Sequence, residues 1–354
     1  MMTLKSFCKV IFLPAVAALS CCTLMHDDLP DCPSGLDVRF VYDYNTERAD
    51  MFHDQVGGVS VYIFDSDGAL VEYRDESNSK ESAPLKSHDY AMHFNLPEGN
   101  YHIVAFAQQN DYMKSLQSEN STKFRRTVIE KGDNISQLKV RLDRTETGHV
   151  DNGGKTLDTL WVGNSATTVT VKPYSLSTET ISLVRDTKHL TIGLHQLDNG
   201  LETDIDDYEI EITDRNGIIN YDNTLLPDEE IKYTPYAKWN STFSDVDGNP
   251  LEVTARAALS FARIVYYPVS ENEKNAVLSI RNVRTGVQVA TINLPAMLGQ
   301  GRGAFETRYY TLQEYLDREH DYHLDFFIKG DRWSYAELSI GILQWTKRIH
   351  NVDL

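Results

Sequence analysis

The sequence predicts an all-β protein built as two tandem β-sandwich domains, and three observations carry that prediction. From Gly35 onward apolar and polar residues alternate with period two, while long runs with helical spacing are nearly absent. Gly, Asn and Asp turn signals punctuate the alternating runs at short intervals, the pattern of a sandwich rather than of strand-helix units. The 354 residues exceed what one hydrophobic core serves, because single cores stop growing near ~250–300 residues.

The strands of the first domain are read in order. Residues 36–42 (LDVRFVY) and 59–64 (VSVYIF) carry β-branched and aromatic residues at strand spacing. Asp65-Ser66-Asp67-Gly68 is a turn that folds the second of these onto residues 69–73 as a hairpin. Residues 90–94, 102–107 and 137–142 complete the set, with short helices expected at 46–55 and 111–116. The polar stretch 143–156, containing Gly153-Gly154, separates residues 35–145 from a second domain, 156–354. That domain has strands at 167–172, 179–184, 189–197, 208–214, 251–259, 262–267, 276–283 and 287–294. Arg284-Thr285-Gly286 is a hairpin loop, and Thr311 with Glu314 makes a capping box for one short helix. Two last strands fall near 322–328 and 337–345.

The amino terminus reads differently. Lys5 and Lys9 precede sixteen uncharged residues, 10–25, which are short for a membrane span of ~20 residues and suit the apolar region of an export signal. The run ends in Ala17-Ala18-Leu19-Ser20-Cys21-Cys22, a small residue directly before a cysteine, which resembles the lipobox of bacterial lipoproteins. Cys21, preceded by Ser20, is the expected acylated residue; Cys22 has Leu19 three residues before it and is the alternative. Residues 1–20 are then the signal and 21–34 a lipidated tether, with two prolines and no apolar periodicity. Cys32 in that tether is either bridged to Cys22 or free. Removing the signal takes two lysines and no acid, so the formal charge of −18 becomes −20.

This acidity argues against nucleic-acid binding, which needs clustered Lys and Arg. Four cysteines, three of them within residues 8–22, cannot form a disulfide framework for a chain this long. No catalytic pattern stands out, and no enzyme activity, cofactor or metal is expected. His320 and His323 form H-x-x-H without the i, i+4 spacing or companion ligands of a helical zinc site. Glu202, Asp204, Asp206 and Asp207 do not follow the calcium-loop pattern. The run Gly299–Gly303 is glycine-rich, but the next residues, 304–310, alternate like a strand, so a mobile loop is expected rather than a phosphate cradle. Asn120, Asn134 and Asn240 head glycosylation-type triplets that carry no information beside a bacterial lipobox.

Several segments together resemble one family. These are Cys32-Pro33, Gly35-Leu36-Asp37-Val38-Arg39-Phe40, Tyr42-Asp43-Tyr44-Asn45, Phe52-His53-Asp54-Gln55-Val56, the turn Leu96-Pro97-Glu98-Gly99-Asn100-Tyr101 and the ending Asn351-Val352-Asp353-Leu354. The chain resembles the fimbrial anchor and minor-subunit family of Bacteroidales type V pili, the FimB/Mfa type. The resemblance implies two transthyretin-like, fimbrillin-type sandwiches and a lipid-anchored accessory subunit on the outer membrane. It implies other fimbrial subunits as partners, joined by donor-strand contacts, and no small-molecule substrate. Asp27 and Asp28 resemble the acidic stretch that directs some lipoproteins of these bacteria to the cell surface. Stalk subunits of the family lose an N-terminal strand after export; here residues 36–42 must stay joined to Cys21 for anchoring, so the strand is expected to be retained. Residues 339–354, with Trp345 and Ile349, are either a donor segment for a neighbour or the ordinary last strand. A surface glycan-binding or adhesive lipoprotein and a pilus tip adhesin are the alternative functions.

Overall fold

A computed structural model describes residues 34–117, 122–151, 153–198, 203–340 and 346–350. The first sandwich sets a three-stranded front sheet against a six-stranded back sheet. In the front sheet the first strand, Gly35–Val41, lies between Leu176–Ser182, to which it is parallel, and Met92–Phe94. The back sheet runs Val184–Arg185, Leu160–Asn164, Gly99–Gln108, Gly58–Asp65, Leu70–Ser77, with Val169–Val171 added beside the start of Gly99–Gln108. Alternation positions the first strand's core face: Leu36, Val38 and Phe40 are buried against Val61, Ile63, Ile103, Ala105 and Trp161, while Arg39 is exposed. The sheets approach so closely at Gly163 that a Cβ there would sit 2.7 Å from the Ile181 side chain.

The back sheet is buried on both faces. Val59, Val61 and Ile63 join the first core, whereas Tyr62, Phe64, Val104 and Phe106 join a second, larger one. That second core includes Phe124, Val140 and Leu142 from a small sheet of Ile218–Asn220, Lys139–Leu142 and Phe124–Arg126. Burial on both faces explains why 59–64 reads as a nearly unbroken apolar run. The second sandwich has a six-stranded sheet in the order Ala237–Ser244, Pro250–Phe261, Lys188–Gln196, Asp321–Lys329, Arg332–Ile340, Thr346–His350. Its five-stranded partner runs Gln288–Asn293, Val277–Asn282, Tyr208–Asp214, Ile231–Tyr233, His149–Val150.

The polar stretch 143–156 is crossed by strand pairing. Leu160–Asn164 and Leu176–Ser182 return to the sheets of the first sandwich, and His149–Val150 pairs with Ile231–Tyr233 of the second. Composition marks a polar loop there but cannot show which strands pair across it.

Most expected turns and strands are found. Gly68, at φ +79°, closes the hairpin, with Asp65 Oδ1 accepting from the Asp67 and Ala69 amides at 3.0 and 2.9 Å. Thr311 caps Leu312–Arg318 by accepting from the Glu314 amide at 3.1 Å. Residues 262–267 form no strand: the carbonyls of Ala262 and Arg263 accept from the Asn216 side chain instead of a ladder partner. Residues 304–309 are helical, not extended, and the helix brings Phe305 and Tyr309 together at the i, i+4 spacing, 4.4 Å between centroids with the rings tilted by 40°. The glycine run therefore links two short helices, Leu294–Gly299 and Ala304–Tyr309, rather than forming a free loop. The helix expected over 46–55 is confined to Phe52–Gln55. The last strand, Thr346–His350, is paired within its own sheet and buries Ile349; Trp345 lies outside the described residues.

Candidate functional site at the first strand and domain junction

The first strand does more than fill the front sheet. Its continuation, residues 42–50, forms a loop locked by its own side chains and docked on the second sandwich. Asp50 Oδ1 accepts from the Tyr42 and Phe52 amides at 2.8 and 3.0 Å, and Asn45 Nδ2 donates to the carbonyls of Tyr42 and Ala49, both at 2.8 Å. Short Asx side chains of this kind satisfy loop backbone that has no ladder partner. Outward from the loop, Thr46 Oγ1 donates to Glu319 Oε2 at 3.0 Å, 273 residues away. Arg48 lies 3.5 Å from the Phe305 ring centroid and pairs with Glu306 at 3.2 Å; Arg318 stacks on Tyr44 at 3.9 Å.

Beneath this contact lies a buried group of charges where the chain passes from Val184–Arg185 into Lys188–Gln196. The wholly buried Lys188 ammonium donates to the carbonyls of Asp317 and Glu319 at 2.9 and 2.8 Å. Arg263 holds Asp317 with two hydrogen bonds, 2.7 and 2.8 Å, and lies 3.9 Å from Asp186. Burial pushes the Asp186 carboxyl up, against the pull of Arg263, and pushes the Lys188 ammonium down. Replacing one member of such a group strands its partner, at a cost of about 3–5 kcal/mol. Arg263→Met is therefore expected to lower the urea midpoint sharply, and adding Asp317→Leu to recover part of the loss. Equal midpoints for Arg263→Met and the wild type would show that the group contributes nothing.

The other sequence-marked residues are not brought together. His320 precedes the strand Asp321–Lys329 and is half-buried; desolvation of its ring, with Arg185 and Lys188 nearby, pushes its pKa down to about 2. His323 is on the exposed side, 3.9 Å from Asp321. Among the described residues no three His, Cys, Asp or Glu side chains gather as a metal site. Asp204 caps a short turn, accepting from the Asp206 amide and from Asn240 Nδ2 at 3.2 and 2.9 Å; Glu202 lies outside the described residues. Cys21, Cys22 and Cys32 also lie outside them.

One arrangement is not legible in the sequence because it requires strand register. On the outer face of the six-stranded sheet His195 sits between Glu252, 2.5 Å from Nδ1, and Asp325, 3.3 Å from Nε2. Burial works against the charged ring, but the hydrogen bonds to Asp325 and Glu252 outweigh it and raise the pKa above the ordinary 6.5. The ring also stacks on Phe327, and Phe327 on Tyr335, at 4.6 and 4.4 Å with 13° between planes. These rings cover one another's faces, and Arg348 covers Tyr335 at 4.5 Å, so they offer edges rather than a flat platform for a sugar ring. A raised histidine pKa stabilises fully below the unfolded value and loses that contribution as pH rises through the folded one. His195→Gln should cost roughly 1 kcal/mol or less at pH 6 and still less at pH 9, read from paired denaturation curves. A cost that grows with pH would contradict the assignment.

The fold is of the two-sandwich class, with the loop after the first strand docked on the second sandwich, and comparison with known proteins gives its family. The family described as fimbrillin-A associated anchor proteins Mfa1 and Mfa2 matches residues 29–351, and the chain belongs to that family. A curated relative, the minor fimbrium anchoring subunit Mfa2 of Porphyromonas gingivalis, is 23% identical over 238 residues, 63% of this chain; the match spans 65% of that protein's length. The solved structure of a candidate adhesin from Bacteroides thetaiotaomicron superposes with a TM-score of 0.73 at 29% identity, covering 91% of this chain and all of that one. The P. gingivalis fimbrial anchor protein Mfa2 shares the fold, with a TM-score of 0.63 at 18% identity over 90% of this chain and 99% of that one. The chain is thus a member of a fimbrial anchor and accessory family.

Proposed function

We propose that the protein is the lipid-anchored base of a fimbrium, held on the outer membrane through an acylated Cys21 and joined to the adjacent subunit by β-strand-mediated contacts. The carrying observation is the position of the first strand. Gly35–Val41 is hydrogen-bonded on both sides, buries Leu36, Val38 and Phe40, and leads into the loop that clamps the second sandwich. A subunit that lost this strand would open its core and its junction together. Retaining it keeps Cys21 joined to the folded body by a tether of residues 21–34 and leaves the groove filled, so that growth ends at this subunit. The edge position of Thr346–His350 and the burial of Ile349 support reading that segment as the last strand of the second sandwich. The role is structural rather than catalytic. Affinity purification of the protein from detergent-solubilised outer membranes of piliated cells should bring other fimbrial subunits with it. Recovery of the protein alone from such cells would contradict the proposal.

A further inference from the structure

The fold has two ends, and strand direction tells them apart. Gly35, where the tether joins, donates its amide to the Ser175 carbonyl at one end of the front sheet. The first strand runs from there to the junction at Thr46 and Glu319. Lys188–Gln196 starts at that junction and runs away from it for nine residues, about 30 Å. Leu176–Ser182 runs parallel to the first strand from the tether end and leads through Val184–Arg185 directly into Lys188–Gln196, so the chain reaches the far end of the second sandwich by moving away from the tether.

At that far end the strands of the hairpin 237–261 outrun the sheet. Thr254 pairs with His195, but Pro250, Glu252 and Val253 pair only with Ala237–Ser244. The overhang is firmly built: Asp245 Oδ1 accepts from the Asp247 and Asn249 amides at 3.0 and 2.8 Å, and Gly248 takes φ +85°. Its side chains are nevertheless apolar and in water. Phe243 is 66% exposed, Val246 101% and Leu251 54%, with Leu197 and Val283 exposed at the same end. Sheet proteins ordinarily guard such projections with charge, especially lysine. Here residues 239–255 contain Asp245, Asp247 and Glu252 and no lysine or arginine.

We infer that this hairpin tip is the surface on which the adjacent fimbrial subunit docks, and that the subunit offers an apolar cleft rimmed by Lys or Arg. Apolar side chains held rigidly on an acidic projection fit such a cleft in both shape and charge. An anionic membrane surface would repel the same projection, and the tether places the membrane at the other end. The inference rests on the fimbrial reading above and names its contact surface.

The test uses full-length lipidated protein in piliated cells, with a photo-crosslinking phenylalanine analogue at Val246 or at Tyr174, which is 90% exposed beside the tether end. Val246 should crosslink to a fimbrial subunit, identified by mass spectrometry, with a yield at least about tenfold that from Tyr174. The variant Phe243→Ser with Leu251→Ser should keep the wild-type melting temperature and lose most co-purifying pilus protein, since anchors buried at an interface dominate its affinity. Adducts from Val246 only to lipid or to a second copy of this chain, or none while pili still co-purify, would overturn the inference and leave the fimbrial reading standing. Absence of any co-purifying subunit with wild-type protein would overturn both.

Discussion

Cys21→Ser is expected to move the protein from the outer-membrane fraction to the soluble fraction. The magnitude depends on how attachment is made. Each buried CH₂ of an acyl chain contributes about 0.8 kcal/mol; one chain holds a protein only reversibly, and stable attachment takes two signals. Serine offers no thiol for the first acyl transfer, so every chain is lost at once. Little else on the molecule would compensate: the chain after removal of residues 1–20 carries a formal −20, which an anionic bilayer does not attract. No helix among the described residues is long and apolar enough to cross a membrane. Loss of at least about tenfold in membrane-bound protein is expected, together with loss of labelling by a palmitate analogue. Cys22→Ser should leave both readouts near wild type. If instead Cys22→Ser releases the protein and Cys21→Ser does not, the acylated residue is Cys22, as the position of Leu19 would suggest.

Phe40→Asp in the first strand should unfold the protein or nearly so. Phe40 stacks on Phe52 at 5.4 Å between centroids and is 3% exposed, in a core shared with Leu36, Val38 and Val61. The substitution removes a large apolar side chain, at about 3–5 kcal/mol, and places a carboxylate where nothing can pair with it. Against a typical stability of about 5–15 kcal/mol that is a large share. Arg39→Asp, one residue away on the exposed face, should change stability by less than about 0.5 kcal/mol. Urea denaturation followed by tryptophan fluorescence checks the pair, because Trp161 packs edge-on against Tyr42 at 5.7 Å and reports on this region. Similar midpoints for the two variants would show that the first strand is not essential to the first sandwich.

How much of the fold is legible in the sequence depends on where each side chain finds its neighbours. Tyr208–Asp214 and the hairpin Val277–Asn293 are legible because one face meets the core and the other does not, which writes the alternation into the sequence. Leu160–Asn164 escapes sequence reading because four of its five residues are buried, so nothing alternates. Ala237–Ser244 escapes it for the opposite reason, since no residue in that edge strand is fully buried. The first strand is recognisable, yet its docking role is not. Thr46 meets Glu319, and Lys188 meets Asp317 and Glu319, across separations that no local pattern encodes. The same holds for His195 between Glu252 and Asp325, and for the hairpin tip, where the exposure of Phe243, Val246 and Leu251 depends on how far the two strands outrun the sheet.

The central claim is that the first strand stays covalently joined to a lipid anchor in the working protein. Mass spectrometry of the amino-terminal peptides of protein recovered from outer membranes of piliated cells tests it most directly. The account predicts peptides beginning at an acylated Cys21 and continuing without a break through Gly35–Val41. A chain that begins beyond Val41, or one that begins at Cys21 without acyl groups, would contradict it.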